Sequence, residues 1–106
     1  MDVLITNDVE EVSIVNNNLN STIAKKVAMK GLPRLLALYS KYNVVSTFYF
    51  TATFAKRFPE CVIQVLKKGH EVGCHGYSHL PKHSFDILTV KDQFHHLYHS
   101  KIAIEK

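Results

Sequence analysis

Two histidines four residues apart, His75 and His79, and a run of acids near the other end of the chain, Asp8, Glu10 and Glu11, are the side chains best suited to chemistry. On one turn of helix, or a helix-like turn, residues i and i+4 share a face, and that spacing lets two imidazoles hold one metal ion. The pair lies in Gly69-His70-Glu71-Val72-Gly73-Cys74-His75-Gly76-Tyr77-Ser78-His79, which reads as a short buried strand running into its histidines. Glycines punctuate it at 69, 73 and 76, where backbone must bend or be approached closely. A metal site still needs an acidic ligand, and Thr6-Asn7-Asp8-Val9-Glu10 supplies the candidates. Neighbouring acids ordinarily form a solvated loop, so the question is whether the fold carries them to the histidines.

The elements that must do so can be read in order. Val3-Leu4-Ile5 is a continuous apolar run, as in strands buried on both faces, and it puts the acids at a strand's C-terminal edge. The polar stretch Asn16 to Ser21 reads as a loop, and Thr22 to Lys30 as a short helix broken by Gly31. Pro33 suits the first turn of a second helix, along which Leu32, Leu35, Leu36, Tyr39 and Tyr42 recur at helical spacing before a cap at Asn43. Val44 to Thr51, rich in β-branched and aromatic residues, is a central strand. Pro59 opens a helix with Val62, Ile63 and Leu66 inward, Gly69 ends it, and His70 to Cys74 is the third strand. Leu80 to Leu88 reads as loop with an isolated His83. Thr89-x-x-Asp92 then caps a last helix through Val90, Phe94, Leu97, Tyr98 and Ile102. That helix carries His95, His96 and His99. His95 and His99 are also i, i+4, but no strand or glycine-shaped loop delivers them, so they read as a solvated face.

The order β-α-β-α-β-loop-α implies an α/β fold with parallel strands and right-handed crossovers. The first and third strand ends then lie on one side of the sheet, where Asp8 and Glu10 can meet His75 and His79. Alternation along an extended segment sends Asp8 and Glu10 to the same side.

Composition narrows the class. A chain of 106 residues with 46% hydrophobic and 21% charged residues is an ordinary globular domain, one at most. The net charge of +4 is scattered, without the basic clusters and stacking aromatics of a nucleic-acid binder. No apolar run approaches the roughly 18–20 residues that span a bilayer. The Met1 end enters a strand-like run instead of a basic leader, so a cytoplasmic protein is expected if Met1 is the natural start, although a chain trimmed of its leader would look the same. Cys61 and Cys74 lack metal or redox spacing and read as reduced, buried thiols.

With these residues in view, the chain resembles the polysaccharide deacetylases with the NodB homology domain, carbohydrate esterase family 4. Thr6-Asn7-Asp8-Val9-Glu10 is similar to the first family motif in its Asp-x-acid form, and Ser46-Thr47-Phe48-Tyr49-Phe50 to the Ala-Thr-Phe-Phe strand. Gly69 to His79 resembles the second motif almost letter for letter. The resemblance implies a (β/α) barrel of the deacetylase type. His75, His79 and Glu10 would be metal ligands and Asp8 the general base, with Asp8 itself as the alternative acidic ligand. It further implies a divalent ion, zinc before cobalt or nickel, a carbohydrate substrate, and metal-assisted hydrolysis of N-acetyl groups. The alternatives are an amidohydrolase of other non-peptide C–N bonds and an inactive metal-binding fragment. The resemblance further implies a later Arg-x-Pro segment, a further acidic motif and a Leu-x-x-His element whose histidine protonates the leaving amine, and the stretch from Leu80 to Lys106 is read as lacking all three. The chain is therefore expected to be the first half of the domain, residues 1–106, with a second copy covering its open sheet edge.

Overall fold

A computed structural model describes residues 1–13, 18–78 and 80–105; the side chains of 12, 13, 18, 19 and 81 are not described. The chain runs β1 (Thr6–Val9), β2 (Val12–Ser13), β3 (Asn18–Leu19), α1 (Ser21–Lys26), a π-helical turn (Val27–Gly31) and α2 (Leu32–Lys41). It continues with β4 (Thr47–Phe50), α3 (Ala52–Arg57), α4 (Pro59–Lys67), β5 (Glu71–Cys74), two short 3-10 turns (Pro81–His83 and Phe85–Ile87) and α5 (Val90–Glu105). Strands β1, β4 and β5 form a parallel sheet in the order β1-β4-β5, and β2 pairs antiparallel with β3. The expected α/β alternation is therefore present.

Period-two alternation divides the sheet's two faces. Val9, Phe48 and Phe50 point into the core against Leu32, Leu36, Val62 and Val65. Asp8, Tyr49 and Gly73, in register across the three strands, share the opposite face. The end of the sheet away from the strand C-termini is locked by hydrogen bonds. The Tyr39 hydroxyl donates to Asn7 Oδ1 at 2.8 Å, and Ser46 Oγ donates to the Ile5 carbonyl at 2.9 Å. Buried His70 accepts the Ser46 N–H at Nδ1 (3.2 Å) and packs against Tyr39 and Phe48. His70 is thus a structural histidine.

Several expectations need correction. Val3, Leu4 and Ile5 are exposed and the strand begins at Thr6; the ladder reaches back only to the Ile5 carbonyl, which accepts from Thr47 N–H. Gly31 does not break the helix. Its φ of −62° is helical, and the chain passes through a π turn in which Leu32 N–H donates to Val27. Widening the turn just before Pro33 suits a residue that brings no donor and whose ring crowds the preceding turn. On α4 the inward residues are Cys61, Val62 and Val65, while Ile63 and Leu66 face outward. Cys74 is exposed, unlike Cys61, although both are free thiols. Helix α3, within the stretch after Thr51, was not anticipated.

The caps agree with the sequence. Asn43 adopts φ +58°, with Val44 N–H reaching back to Tyr39 and Asn43 N–H to Ser40, a Schellman ending. Gly69, at φ +83°, closes α4 in the same way. Thr89 Oγ1 accepts from Asp92 N–H at 3.2 Å and donates to its carboxylate at 2.7 Å. Helix α5, however, turns Gln93, His96 and Ser100 toward the protein, and Phe94, Leu97, Tyr98 and Ile102 to the outside.

Candidate metal centre

Each arm of the site is set by the backbone that carries it. Asp8 stands on β1 facing away from the core, and Glu10 follows directly beyond the strand's end. Glu11, next in line, turns inward instead: it is buried and pairs with Arg57 at 3.6 Å. The acids therefore separate into two that face the site and one that anchors α3.

On the other side, His75 is the first residue beyond β5, and its N–H donates to the Phe50 carbonyl at 2.9 Å. The loop that follows is held by helix α3. Ala52 N–H donates to the Gly76 carbonyl and Thr53 N–H to the Tyr77 carbonyl, both at 3.0 Å, so free donors of the first helical turn are satisfied by the histidine loop. Gly76, at φ +73°, makes that turn possible. Residues 75–78 are non-helical. His79 lies outside the described residues.

The ends of β1 and β5 converge as their parallel pairing with β4 requires. His75 Nε2 lies 3.3 Å from Glu10 Oε2 and 3.8 Å from Asp8 Oδ2. Two ligands of one zinc-like ion, each bound at about 2.0–2.2 Å with tetrahedral angles, stand about 3.4 Å apart. The Glu10–His75 separation fits that value, and Asp8 lies somewhat beyond it. One nitrogen and one or two carboxylate oxygens form a donor set that suits a divalent ion of borderline softness. Among the described residues no group of three or more His, Cys, Asp or Glu side chains is arranged as a finished metal cage.

A cleft of about 650 Å³ opens beside His75, lined also by Tyr77, Ser78, Leu80, His83 and Phe85. That volume is within the roughly 300–1,000 Å³ usual for small-molecule sites. The larger groove of about 860 Å³ between α4 and α5 is walled mainly by apolar side chains such as Val62, Ile63, Leu66 and Ile102, and it holds neither Asp8 nor His75. The sequence suggests an isolated loop residue at His83. Leu80 and His83 in fact have a Leu-x-x-His spacing, and the fold brings His83 to the same cleft as His75. The spacing is visible in the sequence; only the loop's path places His83 beside His75.

Asp8, Glu10 and His75 gather at the C-terminal end of a parallel sheet, where α/β folds of the barrel type place their functional side chains. The family model for polysaccharide deacetylase matches residues 25–106, and the chain belongs to that family. It is 43% identical over 49 residues to the peptidoglycan deacetylase of Helicobacter pylori, covering 46% of this chain and 17% of that protein. It is 42% identical over 48 residues to a peptidoglycan-N-acetylglucosamine deacetylase of Bacillus cereus, covering 45% and 22%. Among solved structures, one from Mycobacterium smegmatis, described as a candidate polysaccharide deacetylase, superposes with a TM-score of 0.79 and 26% identity over 96% of this chain and 37% of that one. The chain thus aligns with about a fifth of these two relatives and over a third of that structure. Asp8 and Glu10 precede the residues matched by the family model.

Proposed function

We propose that this chain supplies the metal-and-base half of a deacetylase that removes N-acetyl groups from an amino-sugar polymer, with zinc as its ion. The observation that carries this reading is the 3.3 Å approach of Glu10 Oε2 to His75 Nε2, with Asp8 beside them. The peptidoglycan deacetylases of H. pylori and B. cereus, to which the chain is similar, support the substrate class. In this reading Glu10, His75 and His79 hold the ion.

The two carboxylates divide the work by environment. The Glu10 side chain is 26% exposed and the nearer to His75, as an ion ligand should be; that of Asp8 is 55% exposed and stands farther off, as a base that exchanges protons with water should. When bound, the ion polarises the acetamide carbonyl and makes water more acidic. Asp8 takes the proton of the attacking water at its carboxylate. His75 is held for its task by its own N–H on Phe50 and by the loop's carbonyls on α3. The cleft beside His75 receives the sugar ring.

Residues 1–106 act here as a partial barrel. A second copy of the chain is the proposed cover for the edges of β1 and β5 and for the outward Phe94, Leu97, Tyr98 and Ile102. The test is elemental analysis of purified, untagged protein together with acetate release from an N-acetylglucosamine oligomer. Zinc that is retained by the wild type and reduced in His75→Ala, with acetate release abolished in Asp8→Asn, is expected. Zinc content unchanged by His75→Ala, or acetate release unchanged by Asp8→Asn, would overturn the proposal.

A further inference from the structure

The inward stripe of α5 carries an imidazole to a place the proposed deacetylase site does not use. We propose that His83 and His96 form a second transition-metal site, a two-imidazole site for Zn²⁺, Ni²⁺ or Cu²⁺ in the cavity between Tyr77 and α5.

Four observations converge on it. The His83 and His96 rings meet edge-on, with centroids 4.8 Å apart and planes at 61°. Two imidazoles bound through nitrogen to one ion at about 2.0–2.1 Å with a tetrahedral angle place their ring centroids about 5 Å apart, so the pair is spaced for a shared ion. Next, His96 Nδ1 is buried and has no hydrogen-bond partner among the described residues. A buried ring nitrogen without a partner is costly, and a metal bond would satisfy it. Third, Ser78 Oγ lies 2.5 Å from His83 Nδ1. When that oxygen accepts the Nδ1–H, it fixes the tautomer that leaves Nε2 bare for an ion, the role outer partners play at metal-bound histidines. Fourth, the cavity of about 460 Å³ is lined by Lys56, Tyr77, Asp92, His95 and His99 as well as the pair. It is imidazole-rich and open to solvent, and it has room for bound water.

Burial, with the nearby His96 and Lys82 charges, pushes the His83 pKa below its usual value. The cation on the cavity wall is engaged: Lys56 Nζ donates to the Tyr77 hydroxyl at 2.9 Å and lies over that ring. Tyr77 in turn packs edge-on to both imidazoles, at 5.5 Å from His83 and 5.7 Å from His96, and so orders the pair. Asp92, one helical turn before His96, contributes the negative charge of the cavity. Since no three protein donors form a finished cage among the described residues, water completes the coordination.

The test is calorimetric titration of the untagged full chain with ZnCl₂, for the wild type, His75→Ala, and the double variant His83→Gln/His96→Gln. Circular dichroism confirms that each variant is folded. The double variant should bind one equivalent fewer than the wild type, whether or not His75→Ala also lowers the count. A double variant with the wild-type stoichiometry and affinity overturns the proposal. Should the double variant not fold, ring ¹H–¹⁵N spectra of the wild type replace it: shifts of the His83 and His96 nitrogens on adding Zn²⁺ support the site, and their absence at saturating Zn²⁺ refutes it. A failure of the deacetylase reading shows separately, as a stoichiometry that His75→Ala does not change.

Discussion

His75 Nε2 approaches Glu10 Oε2 to 3.3 Å, although the two residues come from opposite edges of the three-stranded sheet. Neither strand touches the other; β4 between them sets the register that makes the approach possible. If the pair holds the ion as proposed, loss of each partner should have a different effect. His75→Ala should weaken Zn²⁺ binding at the site by roughly 100-fold or more, and Glu10→Gln by roughly 10- to 100-fold. Asp8→Asn should leave affinity within a few-fold while abolishing acetate release. Competition with a chromophoric chelator measures all three, and a larger loss for Asp8→Asn than for Glu10→Gln would reverse their assigned roles.

The histidine loop depends on one left-handed residue. Gly76→Ala forces a side chain into φ +73°, at a cost of about 1–2 kcal/mol. No atom crowds the new Cβ, so the penalty is conformational. Thermal unfolding should show a drop of several degrees, and Zn²⁺ affinity should fall with it because the Gly76 carbonyl anchors the loop to Ala52 N–H. An unchanged melting temperature would mean that the loop relaxes freely.

Gly73 is required for a different reason. A Cβ there would stand 2.6 Å from Cδ1 and Cε1 of Tyr49, whose ring covers the glycine across the parallel pair. Gly73→Ala should cost about 1–3 kcal/mol as overpacking. The same change in a Tyr49→Ala background should cost less, since the clash is gone. A double-mutant cycle in denaturant that returns equal costs in both backgrounds would place the strain elsewhere.

The two thiols should react at very different rates. Cys74 is exposed, whereas Cys61 is 1% exposed and its thiol is pushed up to about 11 by burial and by the Glu60 charge. At pH 8 a thiol reagent should modify Cys74 in the folded protein and Cys61 only on unfolding. The folded state holds the Cys61 proton more tightly than the unfolded chain does. Its stabilising contribution is therefore complete below pH 9 and falls as pH rises from about 9 to 11. Cys61→Ala should flatten that part of the stability profile.

Much of this protein is legible in its residues because the signals are local. The caps at Asn43, Gly69 and Thr89 answer to backbone chemistry within a few residues. The order of apolar runs dictates the parallel sheet, and hence that Asp8 and Glu10 lie at the same strand-C-terminal end of it as His75. Other features depend on what each segment packs against. Val3-Leu4-Ile5 has the composition of a buried strand, yet nothing described covers it, and it is exposed. Gly31 punctuates sequences, but here a π turn absorbs both it and Pro33. The sharpest contrast is α5. Its sequence has an apolar stripe through Phe94, Leu97, Tyr98 and Ile102, and the fold turns that stripe outward and His96 and Ser100 inward. Helix periodicity determines which residues share a face but not which face meets the core. That choice was made by the packing of α5 against α3 and β5, and it alone brought His96 to His83.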